Sequence, residues 1–184
     1  MRRGGPWWAV AAALAVGTIA CDAARPPASD EPVHLRAEQA GWLLEAEVPS
    51  ATLDSADAID LRAALTWTGA APKASIWGSG MGPVFFEYRE LSGAGRAMGG
   101  AVTLDCRQRE FVRGVPVGVP PGKGWIADGA DPNVPFYQAW AKDPVLHLPS
   151  GRWKVVVSTE GMLAPCDNGA PTLSLSIPLE LTIR

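Results

Sequence analysis

The sequence predicts an all-β protein, an antiparallel β-sandwich of seven to nine strands over residues 33–184, with one long loop that has room for a short helix. Three observations carry this expectation. Apolar and polar residues alternate with period two in run after run, as they do in strands with one buried face. Clusters of Gly, Pro, Asn and Asp separate these runs at turn-like intervals. After the N-terminus, no stretch shows the 3.6-residue apolar period of a long amphipathic helix. A sheet with one apolar face must bury it against another layer, and without long helices that layer is a second sheet.

The chain begins with Arg2 and Arg3, an apolar run from Trp7 to Val16, and then Gly17-Thr18-Ile19-Ala20-Cys21. A positive start, an apolar middle and a small-residue end are the order of an export signal. The run is well short of the ~20 residues that a membrane-spanning helix requires. Its ending resembles the lipobox of bacterial lipoproteins, in which the cysteine is acylated and becomes the new N-terminus. The resemblance implies a signal peptide over 1–20 and a lipid on Cys21. The membrane is then a partner reached through that lipid, and the protein faces the periplasm or the cell exterior. Residues 21–32 read as a flexible tether, because Pro26, Pro27, Ser29, Asp30, Glu31 and Pro32 show no apolar period. Asp22 resembles the residue that, in enteric bacteria, disfavours transfer to the outer membrane.

Cleavage before Cys21 leaves 164 of the 184 residues, enough for one domain with a core. It also removes Arg2 and Arg3, so 14 basic side chains face 19 acidic ones. This acidic balance argues against a nucleic-acid partner, for which a basic footprint is the first requirement. With Cys21 assigned to the lipid, Cys106 and Cys166 remain, and in an oxidising compartment they are expected to pair. Such a bond closes a loop of about 60 residues, worth roughly 4 kcal/mol by chain entropy.

Val33, Leu35 and Ala37 alternate with polar residues, Gln39-Ala40-Gly41 turns, and Trp42, Leu44, Ala46 and Val48 alternate again. Ile59, Leu61, Ala63, Leu65 and Trp67 predict a strand over 58–68. Lys73–Trp77 and Val84–Leu91 follow, separated by Gly78-Ser79-Gly80-Met81-Gly82-Pro83. These glycines are no phosphate cradle, since such a site needs a helix directly after them and here a strand follows. Strands are next expected over Ala101–Arg107 and Phe111–Val115, the first of them turning Cys106 to the core side. Arg107, Arg109 and Arg113 form one local basic run, read equally well as an anion site or as a charged strand edge.

Val115–Pro149 breaks this rhythm. It is rich in Pro and Gly, and Pro135–Lys142 is expected to form one or two helical turns with Asn133 at the cap. The run Asp128–Asn133 offers oxygen ligands but lacks the order of an EF-hand loop and its closing glutamate, so it reads as a turn rather than a metal site. Clean alternation then returns in Lys154–Thr159 and in Leu173, Leu175, Ile177, Leu179, Leu181 and Ile183, with Pro178 on the polar side as on an edge strand.

The segment Leu148-Pro-Ser-Gly-Arg-Trp153 resembles the Leu-x-x-Gly-x-Tyr turn that enters a late strand of immunoglobulin-like domains. Here Trp153 stands where the corner tyrosine would be, so the usual hydroxyl hydrogen bond is missing or replaced. The whole chain resembles immunoglobulin-like lipoproteins of bacteria and, more distantly, BsuPI-type proteinase inhibitor domains. The first resemblance implies a membrane-anchored binding or interaction module, and the second a rigid exposed loop.

Function is less legible than fold. Neither His34 nor His147 falls in a catalytic or metal-binding motif, and no Cys-x-x-Cys or Gly-x-Ser-x-Gly is present. The expectation is therefore a non-enzyme with no cofactor and no metal, binding a protein or a small ligand. Trp125, Phe136, Tyr137 and Trp140 are the candidate binding residues, since aromatic side chains supply rigid contact area. The competing reading is that they close the open end of the sandwich. A peptidase inhibitor acting through the proline-rich loop 115–124 is the alternative function, and an enzyme the third.

Overall fold

The computed structural model describes residues 31–99, 103, 105–125, 129–166 and 169–184. The expected signal peptide, Cys21 and most of the tether lie outside them. In chain order the strands are β1 Val33–Gln39, β2 Trp42–Val48, β3 Thr52–Leu53, β4 Arg62–Trp67, β5 Lys73–Gly78, β6 Phe85–Glu90, β7 Ala97–Gly99, β8 Arg107–Val112 and β9 Val117–Val119. Helix α1, Val134–Lys142, and the long strands β10, Gly151–Met162, and β11, Thr172–Ile183, complete the elements of the described residues. Eight strands have six residues or more, and β3, β7 and β9 are short additions too brief to show a period.

Two sheets pack face to face, as the alternation predicts. One runs β1-β2-β4-β9 and is antiparallel throughout. The other is built on β10 and β11, which pair along twelve residues each, with β3 parallel to the end of β11. On the opposite side β10 changes neighbours. Trp153–Ser158 pair with β6, and Met162 pairs with Trp77 of β5. β7 then extends from β6 and β8 from β5.

The β1–β2 hairpin turns at Ala40 and Gly41, both at positive φ, the geometry that two-residue hairpin loops prefer. This fixes the register that turns Trp42, Leu44, Ala46 and Val48 inward. All six apolar residues of β11 from Leu173 to Ile183 are buried, against Trp153, Val155 and Val157 of β10. Pro178 sits opposite Val156, and β3 joins the free side of β11 only at Thr182 and Ile183, so the missing N–H interrupts no ladder there.

Three strand expectations and the facing of one side chain change. The strand expected over 58–68 forms only from Arg62. Ile59 and Leu61 are still buried, but the Ile59 N–H donates to the Leu146 carbonyl at 2.9 Å instead of to a sheet. Where two strands were expected over 101–107 and 111–115, the described residues form one, β8. Residues 101, 102 and 104 lie outside the described residues. Cys106 precedes β8 and is exposed rather than core-facing, because strand alternation does not reach it. The Cys106–Cys166 disulfide itself forms, with Cα atoms 6.0 Å apart. At the start of β10, the Trp153 indole N–H donates to the Pro149 carbonyl at 2.8 Å, so an indole closes this corner in place of a hydroxyl.

Candidate functional site

The four aromatic residues singled out in the long loop face the protein. Tyr137 is 2% exposed and Trp140 5%, while Trp125 and Phe136 are half-buried against the core. Helix α1 has Asn133 at its N-cap position, as Pro135 and the preceding polar residues predict, although the Asn133 side chain makes no capping bond. The helix turns Tyr137 and Trp140 inward. Trp125 stacks on Tyr137 at 5.7 Å, Phe136 meets the same ring edge-on at 5.9 Å, and Trp140 meets Tyr88 of β6 at 5.5 Å. The polar tips of the two buried rings are satisfied internally. Trp140 donates to the His147 carbonyl at 2.8 Å, and Tyr137 donates to Asp131 while accepting from the Ala97 N–H.

The proline-rich segment is pinned at the same place. Val117–Val119 pair with β4, and the Lys123 ammonium donates to the carbonyls of Trp140, Asp143 and Val145 at the end of α1. One cation thus satisfies carbonyls that a helix end leaves without partners and complements the negative end of its dipole. Burial pulls the Lys123 pKa below its ordinary value, with Asp143 opposing.

The other sequence candidates are dispersed. Arg107 pairs with Asp105 at 2.7 Å, and Arg113 donates to the Ala70 carbonyl. His34 lies 3.5 Å from Glu47 on an exposed face, and the His147 ring contacts the Asp57 carbonyl at 3.2 Å. Asp131 accepts from the Asn133 N–H at 2.8 Å, a turn within the stretch weighed for calcium; Asp128 lies outside the described residues. Among the described residues, no group of three His, Cys, Asp or Glu side chains could hold a metal ion.

A different site comes from the change of neighbours on β10. Residues opposite each other in an antiparallel pair share a face, and on β10 the odd positions point inward. Phe85 opposite Ser158, and Trp77 opposite Met162, therefore lie on the outer face. Glu160 lies between these two rows on the same face, with Ser174 of β11 as its partner on the other side. Phe85 and Trp77 are both diagonal neighbours of Glu160, a relation that puts Cα atoms about 7–8 Å apart and lets long side chains meet.

These residues line an open cleft of about 560 Å³. Trp77, Phe85 and Met162 provide its apolar floor, with Glu160, Thr172 and Ser174 on one rim. The other rim is Ser79, Thr103, Asp105 and the disulfide. That rim is tied by a polar knot. The Gly80 N–H donates to Thr103 Oγ1 at 2.9 Å and to Asp105 Oδ1 at 3.0 Å. Thr103 Oγ1 donates to Asp105 as well, and Ser79 Oγ accepts from the N–H groups of Thr103 and Met81. The Thr103 hydroxyl, the Gly80 N–H and the Arg107 guanidinium together hold the Asp105 carboxyl well below the usual carboxylate range. Asp105 is thus ionised and already neutralised by Arg107. The Glu160 carboxylate, exposed on the facing rim, has no ion pair or hydrogen bond to any described residue.

Chemically, the described residues of the cleft offer two aromatic rings, a soft thioether, hydroxyls and one free negative charge. Sequence reasoning passed over it, although a signal was present: Trp77 and Phe85 occupy the outward positions of their strands, where an aromatic ring has no core to fill. Comparison of the chain with protein-family models and with curated proteins finds no match.

Proposed function

We propose that the protein is an exported lipoprotein, held at a membrane by the lipid on Cys21, that presents its β-sandwich as a ligand-binding module. The ligand site is the cleft on the outer face of β5, β6, β10 and β11. One observation carries the reading: two half-buried aromatic rings face outward beneath a rim fixed by a disulfide, where they contribute nothing to the core. A site of this size, mostly apolar with a few convergent polar groups, is the usual form of a small-molecule pocket. The reading assigns no catalysis. The N-terminal order of charge, apolar run and cysteine supports the anchor.

Two experiments test the two halves. Cys21→Ser should release the protein from membranes or leave its precursor uncleaved, whereas unchanged processing and detergent partitioning would refute the anchor. For the module, a panel of small cationic, neutral and anionic compounds should include one that shifts the Trp77 indole resonance saturably, and Trp77→Leu should abolish that binding. Failure of every compound, regardless of charge, to perturb the cleft would refute the binding reading.

A second reading, peptidase inhibition through 115–124, has one supporting feature. The segment is held rigid by β9 and Lys123 while Val115 remains half exposed, and rigid exposed loops bind with little loss of entropy. Inhibition of a peptidase, lost on Val115→Asp, is its test.

A further inference from the structure

We propose that the cleft binds an organic cation, a primary or quaternary ammonium carried on a small apolar body. This deepens the binding-module reading and rests on it.

The inference starts from the placement of Glu160. Its two diagonal neighbours on the outer face are Phe85 on one side and Trp77 on the other. Aromatic faces attract cations through the ring quadrupole, within about 6 Å of the centroid, and Trp does so best. A carboxylate flanked by two rings therefore presents three attractive groups to one positive charge. An anion would meet repulsion from Glu160 and gain nothing from the ring faces. A neutral ligand could use the apolar floor but would leave the carboxylate unpartnered.

The opposite rim sharpens the choice. Asp105, the other carboxylate of the cleft, is taken by Arg107, Thr103 and the Gly80 N–H. Its charge is neutralised within the rim, so among the described residues the cleft is left with one uncompensated negative charge, at Glu160. Arg107 does not cancel it, because its guanidinium Nε is held on Asp105 at 2.7 Å. Met162, next to Glu160 along the same face of β10, adds a polarisable side chain suited to the methyl or methylene shell of an ammonium. The volume of about 560 Å³ leaves room for a ligand body beyond the charged group.

The test uses the purified full chain, with choline and butylamine as probes and dimethylbutanol, the neutral carbon isostere of choline, as the control. Binding is followed by calorimetry and by the Trp77 indole resonance. Choline should bind saturably and weaken as salt rises, with the isostere roughly tenfold weaker or worse. Glu160→Gln, a change on an exposed side chain that leaves the fold intact, should erase most of that preference. Trp77→Leu should weaken choline more than it weakens the isostere. Equal binding of choline and its isostere would overturn the cation proposal while leaving the binding module standing. So would a preference that survives Glu160→Gln. If neither ammonium probe moves the Trp77 resonance, while a neutral or anionic compound of the wider panel does, the cation proposal likewise falls and the module stands.

Discussion

The aromatic residues of α1 and its flanking loop and those of β5 and β6 belong to the same chemical class, yet the molecule uses them oppositely. Tyr137 and Trp140 are sealed against Tyr88 and their own loop, with every polar tip bonded internally. Trp77 and Phe85 stand half-buried on the outside of a sheet, beside a free carboxylate. Local composition favours the first group as a binding surface, since it gathers rings, prolines and glycines in one loop. Geometry favours the second. A ring near the chain's irregular segment is free to close a core, whereas a ring fixed outward by strand register has only solvent or a ligand to meet.

The sharpest way to break this contrast is to truncate one ring from each group. Trp140→Ala should cost about 3–5 kcal/mol in urea unfolding, the usual range for a buried aromatic, and should leave cleft binding unchanged in the folded fraction. Trp77→Ala should cost less than about 1 kcal/mol, and should remove ligand binding. If the two costs came out equal, the division into structural and binding rings would fail.

Next in size is the disulfide, which belongs to the cleft side. Replacing Cys106 and Cys166 together by Ser opens a loop closed over 60 residues of sequence, and chain entropy sets the loss at up to roughly 4 kcal/mol. Because this bond holds the cleft rim, the variant should also bind weakly under conditions where it is still folded. Binding unaffected by loss of the bond would show that the rim needs no such tie.

Lys123→Met tests the other side. It keeps the aliphatic stem but leaves the carbonyls of Trp140, Asp143 and Val145 without their shared donor, at a cost of about 2 kcal/mol. The loss should appear as early fraying of α1, read from amide exchange between Val134 and Lys142. Unchanged exchange there would mean that the helix is held by its buried rings alone.

The smallest effect concerns Tyr88, whose hydroxyl is buried with no hydrogen-bond partner among the described residues. Tyr88→Phe should stabilise the protein, by about 1 kcal/mol at neutral pH, by removing an unsatisfied polar group. Burial also holds the Tyr88 phenol well above its ordinary value. The sign follows directly. Below a pH of about 10 both folded and unfolded chains keep this proton and stability is full. Above it the unfolded chain ionises first, so stability falls by about 1.4 kcal/mol per pH unit as pH rises toward the folded value. Tyr88→Phe should remove that alkaline slope. A slope that persists in the variant would trace it to another group.

Much of the sandwich could be read from alternation alone, because β2 and β11 bury every second residue without interruption. The indole-closed corner at Trp153 was also foreshadowed, since a late-strand turn was visible and only its donor was in question. Short strands such as β3 and β9 were not, as two or three residues carry no period. Cys106 is exposed although alternation with Val102 and Leu104 would turn it inward, because it precedes the first residue of β8. The cleft was hidden for another reason: no local pattern reveals that β10 passes from β6 to β5. That relation is tertiary, and it alone brings Phe85, Glu160 and Trp77 together.

The handover on β10 has a kinetic consequence as well. Between Ser158 and Met162 the strand keeps its ladder with β11 but has no paired neighbour on the other side. Amides of Val155 and Val157, sandwiched between two ladders, should exchange with solvent only when the whole domain opens. Those of Thr159 to Gly161 have one ladder to break and should exchange through a smaller, faster opening. The β5–β8 pair shares its ladder with β10 at Met162, while Ile76 and Phe111 anchor it in the core, so local opening should be confined to the backbone of this seam. The seam that sets Glu160 between two rings would thus also be the place where this sheet breathes.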